Sequence, residues 1–310
     1  MANIREISGR IRSIQDTMKI TNAMYMISST KLRKAKKSEE GNGPYFTSLQ
    51  EMVAHIMNNL PDTGNPLLDL RPEKKGKDRT RGILVVTADK GLAGSYNHNV
   101  LKEAERLISE DSQVKLYVVG EVGRQYFAGK KIPLEGQFKY TAQNPSLHRA
   151  RVIAKTILDE FEAGNLDDVF LVYTRMETPI TSATDAMRLL PLTKEDVNQR
   201  LQTVDDSITG ELEFYPSPGE VLSNIIPNVL VGYIYSALVE AFCSEQNDRM
   251  MAMEAANRNA QQMIHDLSIE YNRVRQAMIT QEITEVIAGA KAQKKKKMKR
   301  RQMQLAQEKE

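Results

Sequence analysis

The sequence predicts an α/β domain combined with long helices, the two ends of the chain pairing as an antiparallel coiled coil. Three observations predict it. Apolar residues near the N-terminus recur on alternating steps of three and four, a long C-terminal stretch lacks helix breakers, and short β-branched runs alternate with helical patterns between them.

The first helix is expected over residues 1–60. Ile4, Ile7, Ile11, Ile14, Met18, Thr21, Tyr25, Ser28, Leu32 and Ala35 form a heptad seam of nearly five repeats. Ile20, Met24 and Ile27 make a second apolar row beside it, which implies a wider buried face or a second partner. Gly41-Asn42-Gly43-Pro44 is expected to kink or break this helix. Apolar spacing resumes at Leu49, Met52, Val53 and Ile56 and ends near Leu60-Pro61.

Residues 61–81 read as a linker whose end, 71–81, is strongly charged. The α/β domain is expected over 82–215, with strands at 82–87, 116–119 and 169–173 and helices at 97–110, 121–129 and 146–163. This βαβ rhythm implies a mostly parallel sheet with helices on its faces. Asp167-Asp168, just before the third strand, reads as an ordinary turn.

The last helix is expected over 216–290, after Pro216-Ser217-Pro218-Gly219, with a bend at Pro227. Ile264, Leu267, Tyr271, Val274 and Met278 keep the three–four spacing, and Ala252, Ala256 and Ala260 add a stripe of small residues. About 70 helical residues span about 105 Å, more than one compact domain can cover, so a partner is needed along the helix. Residues 291–310 hold nine Lys or Arg and two Glu, and are expected to be a disordered basic tail. Their charge of +7 lies within a chain of net charge +3, so the other 290 residues are mildly acidic at −4. That excludes a domain-wide basic face for nucleic acid, and the tail has no interleaved aromatics for base stacking.

Few residues invite chemistry. No run approaches the roughly 18 apolar residues that cross a bilayer, and Arg5, Glu6 and Arg10 interrupt the N-terminal isoleucines, so no signal peptide is expected. Cys243 is the only cysteine and is expected to pack as a small hydrophobe. His55, His98, His148 and His265 lack ligand spacing, so no metal site is expected. Asp89-Lys90-Gly91-Leu92-Ala93-Gly94 sits where a nucleotide loop would, between strand and helix, yet matches neither G-x-G-x-x-G nor G-x-x-x-x-G-K-[ST]. Its glycines are expected to serve a tight turn, no cofactor is expected, and no catalytic constellation is argued.

Both ends resemble one family. Met1 to Ile7, Arg10 to Ile14, Lys19 to Met24 and Lys31-Leu32-Arg33 are similar to the opening of F-type ATP synthase gamma subunits. Ser244-Glu245, Arg249 to Met253, Asn259-Ala260, Leu267, Tyr271-Asn272, Arg275-Gln276-Ala277, Ile279 to Ile283 and Gly289-Ala290 resemble the family's C-terminal signature. The string from Asp89 to Asn97 is similar to its glycine-rich loop, with Ala93 in place of the usual Cys and Ser95 in place of the second Gly. The resemblance implies a coiled coil of the termini with a Rossmann-like domain at its base, and a non-catalytic shaft inside a ring of three alpha and three beta subunits. Its foot would sit on a c-ring and hold the epsilon subunit, and proton or sodium flow would turn it. Arg275, Gln276, Thr280, Gln281 and Glu282 would touch the loops of the catalytic hexamer, with Arg249 and Met24 in the same torque-bearing region. Phe214 and Tyr215 would lie at the foot. The implied location is the cytoplasmic face of a bacterial membrane, with membrane contact only through partners. The other readings are a nucleotide-binding α/β protein and a free-standing coiled-coil scaffold with a basic tail.

Overall fold

A computed structural model describes residues 4–59, 64–71, 74, 78–110, 113–135, 138–178, 181–200 and 214–307. Helix α1 (Ile4–Asn59) carries the predicted seam: Ile7, Ser28 and Ala35 are buried and the other seam residues are half-buried. The second row does not widen that buried face, because Ile20 and Ile27 are exposed. The break expected at Gly41 to Pro44 does not occur, and α1 runs through Pro44. Pro44 is exposed, so water is at hand for the carbonyl its ring deprives of a partner, and buried Ala35, Phe46, Val53 and Ile56 anchor the helix on both sides. Leu60 and Pro61 lie outside the described residues.

A short 3₁₀ turn, Pro66–Leu68, leads to β1 (Thr80–Val86). Then follow α2 (Tyr96–Glu110), β2 (Gln113–Val119), α3 (Glu121–Gly129), α4 (Leu147–Glu162) and β3 (Asp168–Met176). Two elements were not expected from sequence: β4 (Ser182–Leu190) and α5 (Lys194–Arg200). The sheet order is β2-β1-β3-β4, with β1 parallel to both neighbours and β4 antiparallel to β3. A central parallel strand is buried on both faces, and side chains alternate between them. Ile83 and Val85 of β1 pack with α2 and α3, whereas Leu84 and Val86 face α4 and the long last helix.

That helix, α6 (Pro218–Gln307), has 90 residues and continues past Pro227. Its first third supplies much of the main core: Leu222, Ile226, Leu230, Ile234, Leu238 and Phe242 are all buried. Cys243 is buried among them, as a small hydrophobe. Contrary to the sequence expectation, this region is apolar and long enough, by length and composition, to cross a bilayer; most of it is buried inside the fold. Phe46 of α1 lies beside Gly232 and 6.2 Å from the Tyr235 ring, while Lys31 acts electrostatically on Glu245. Low numbers on α1 therefore meet high numbers on α6, the antiparallel order expected.

Packing groups the chain into Met24–Met253 and a second unit of Met1–Ala23 with Glu254–Glu310. In the second unit Thr21 hydrogen-bonds Asn257, and the Asn257 amide donates to Asn22 Oδ1 at 2.6 Å. Ile264, Leu267, Tyr271 and Val274 are half-buried there. The tail is helical as far as Gln307 rather than disordered in backbone. Lys, Arg, Gln, Met and Ala are good helix formers, and no Gly or Pro follows Gly289.

Candidate functional site

In an open α/β sheet, ligands bind outside the carboxyl ends of the strands where the strand order reverses. Here the chain leaves β1 for β2 on one side and later returns to β3 on the other, so that point lies between β1 and β3. The predicted loop begins there. Leu92 (φ 64°) and Gly94 (φ 55°) take left-handed conformations, which a tight strand-to-helix turn needs and which glycine adopts without strain.

The groups lining this crevice are engaged with one another. The Asp89 carboxylate accepts from the backbone N–H groups of Glu121 (3.2 Å), Ala142 (3.1 Å) and Gln143 (3.1 Å). Asn97 Oδ1 accepts from Ala88 N–H at 2.9 Å. Thr87 Oγ1 donates to the Val119 carbonyl and accepts from Gly123 N–H, both at 3.0 Å. Gly120 (φ 97°) is required by close approach, since a Cβ there would stand 2.2 Å from the Thr87 carbonyl oxygen.

Helix α6 closes the crevice. Ser244 Oγ donates to the Thr174 carbonyl at 3.2 Å, at the end of β3, and Ser182 Oγ donates to Asp248 at 3.1 Å. Arg249 pairs with Glu245 at 2.7 Å and donates to the carbonyls of Lys90 (3.3 Å) and Gly91 (3.1 Å). Glu245 is only 3% exposed and Arg249 8%. Burial pushes the Glu245 carboxyl above the usual range, against the pull of Arg249, and burial likewise raises Asp248. Beside them Tyr96 is held far above an ordinary phenol by burial and by the charges of Glu245 and Asp248.

Asp167-Asp168, expected to be an ordinary turn, is instead a charged knot at the opposite end of the strands. Asp167, 1% exposed in its side chain, accepts from Arg71 (2.9 Å), Lys74 (2.7 Å) and Thr80 N–H (2.9 Å). Burial raises its carboxyl, but these bonds outweigh it and hold the group below the usual range. Arg81 bonds Asp168 through two nitrogens, at 3.1 and 3.3 Å. The charged 71–81 segment and the acidic pair were both visible in the sequence; separations of 87 to 96 residues between the contacting groups hid that they belong together.

The structure distributes the predicted contact residues rather than gathering them. Arg275, Gln276, Thr280, Gln281 and Glu282 are exposed on α6, in the unit containing Glu254–Glu310. Thr280 Oγ1 caps back to the Gln276 carbonyl at 2.9 Å, and Gln281 reaches Glu285 at 2.9 Å. Met24, half-buried, and Arg249, buried, belong to the other unit. Phe214 packs against the main core, and Tyr215 is 93% exposed. Every residue from 275 to 298 is exposed, including Ile279, Ile283, Val286 and Ile287, which recur on steps of three and four along one helix face.

Comparison with known proteins points one way. The family model described as ATP synthase matches residues 3–293. An ATP synthase gamma chain of Acetivibrio thermocellus is 39% identical over 95% of this chain and all of its own length. A gamma chain of Acetobacterium woodii named as sodium ion specific is 35% identical, covering 94% of this chain and 98% of its own. Among solved structures, a chain of the Euglena gracilis mitochondrial ATP synthase (OSCP/F1/c-ring, rotational state 3) shares the fold, with TM-score 0.63, 17% identity, and coverage of 93% and 94%.

Proposed function

The chain belongs to the ATP synthase gamma-chain family, a non-catalytic rotor shaft within a membrane-associated complex, and from that premise we propose how its surfaces are used. The exposed outer stretch of α6 is the part that works against the catalytic subunits. Arg275, Gln276, Thr280, Gln281 and Glu282 supply releasable polar contacts to an alpha3beta3 hexamer, and the apolar row of Ile279, Ile283, Val286 and Ile287 runs against its lining. One observation carries this reading: the whole of 275–298 is exposed on a long helix whose apolar side chains between 222 and 243 are largely buried. Exposed Tyr215, with Phe214 behind it, belongs to the foot that meets the c-ring and the epsilon subunit. Ion flow, of protons or sodium, turns that foot on the cytoplasmic face of a bacterial membrane.

The magnitudes are reasonable. Driving a site from 1:99 to 99:1 between two conformations requires a preference of about 5.5 kcal/mol. Two or three charge-assisted hydrogen bonds at about 1.5–3 kcal/mol each supply it and release at the next angle. A nucleotide-binding role has less support, because the crevice that would hold the ligand is filled by Ser244, Glu245 and Arg249. Tagged purification from mild-detergent membrane extracts tests the proposal. One copy of this chain with three each of two larger subunits and ATPase activity is expected; a lone chain or self-oligomer without ATPase overturns it.

A further inference from the structure

We infer that Arg249 is a positioning residue: it latches the 89–94 loop onto α6 from inside the crevice and does not touch a partner. This departs from the sequence expectation that grouped it with the hexamer-contacting residues. An arginine that reads a partner must present its guanidinium to solvent in the free chain. The Arg249 side chain is only 10% exposed, and its terminal nitrogens already bind Glu245 Oε1 and the carbonyls of Lys90 and Gly91.

The arrangement has the form of a bound ligand. A guanidinium is a planar donor fork that satisfies one carboxylate and neighbouring carbonyls together, which a lysine cannot reproduce. Glu245 lies one turn before Arg249 on α6, so the helix fixes the fork in place. Asp89, the first residue of that loop, ties its base to the neighbouring segments by accepting from the N–H groups of Glu121, Ala142 and Gln143. Held between these two clamps, the loop keeps Leu92 at its tip, 66% exposed and with φ 64°, in a fixed place. Any turning force on α6 is thus passed to the α/β unit through the guanidinium as well as through the apolar core.

The loop part of the inference is independent of the rotor reading; its effect on coupling rests on that reading. The test uses the assembled complex with Arg249→Met, Arg249→Lys and Asp89→Asn in this chain. Hydrogen exchange of peptides covering 88–97 is compared with exchange of peptides covering 275–290. Arg249→Met is expected to speed exchange in the loop about tenfold, the loss of roughly one or two hydrogen bonds, while leaving 275–290 unchanged. Arg249→Lys should fall between Arg249→Met and the unaltered chain. Asp89→Asn should lower ATP-driven ion pumping in the same way as Arg249→Met, and the double variant should be no worse than either alone. Arg249→Met with Glu245→Gln, which leaves no buried charge unpaired, keeps the test open if Arg249→Met alone disturbs folding. Unchanged loop exchange alongside lost pumping overturns the inference and makes Arg249 a direct contact. So does normal pumping in Asp89→Asn with a loosened loop. Failure of the chain to recover with larger ATPase subunits would instead strike the rotor reading alone.

Discussion

One helix carries two regions with opposite fates. Between 222 and 243, α6 turns its apolar side chains into the sheet and α1; between 275 and 298 it turns Ile279, Ile283, Val286 and Ile287 toward solvent. The two stretches also differ in composition: 222–243 is mostly apolar, with Glu240 as its one charge, whereas 275–298 sets its apolar row among many charged residues. They differ as well in whether the described residues supply a covering surface. On the proposed function the first region answers for stability and the second for assembly, and substitutions should separate these two quantities cleanly.

The sharpest separation comes from truncating one residue in each. Ile234→Ala should cost about 2–5 kcal/mol of stability, whereas Val286→Ala, 72% exposed in the wild type, should stay within about 0.5 kcal/mol. Chemical denaturation of the isolated chain reads both, and equal losses would erase the distinction. Next in size, Arg275→Ala should weaken assembly with the larger subunits by about 2 kcal/mol and leave the unfolding midpoint where it was. Titrated reconstitution of ATPase activity measures the first, and thermal unfolding the second. Gly232→Ala probes the buried region from the other direction. A Cβ there would lie 2.4 Å from the Phe46 ring, so a loss of about 1–3 kcal/mol is expected as the ring is displaced. Phe46→Leu in the same chain should recover part of it.

The smallest effect is electrostatic. Burial raises the Asp248 carboxyl, so the folded chain holds that proton more tightly than the unfolded chain. Its contribution to stability is therefore least unfavourable below the ordinary carboxylate pKa and worsens as pH rises through the raised folded value. Asp248→Asn should gain stability at neutral pH and match the wild type in acid. Asp167, held low by Lys74, Thr80 and Arg71, has the opposite sign: its contribution is present above the ordinary value and is lost as pH falls through the depressed one. Denaturation at a series of pH values checks both.

Much of this was legible in the sequence because periodicity reports burial. The α1 seam from Ile4 to Ala35 and the strands at the middle of the chain follow directly from steps of three and four or runs of β-branched residues. Strand β4 was not legible: Ser-Ala-Thr-Asp-Ala-Met-Arg has weak β-propensity, and its strand form comes from the ladder with β3. The run from Gly41 to Pro44 misled for a related reason, since local breaking tendencies lost to burial on either side. At the candidate sites the sequence identified residue types but not their company. Arg249 was grouped with the hexamer contacts because nothing local shows that Glu245 and two loop carbonyls engage it.

The filled crevice also sets an effective concentration. Because Ser244, Glu245 and Arg249 are tethered to the sheet by their own chain, they face it at a local concentration on the order of millimolar or more, whatever the dilution of the protein. A free nucleotide must outcompete that tethered plug to enter the α/β unit.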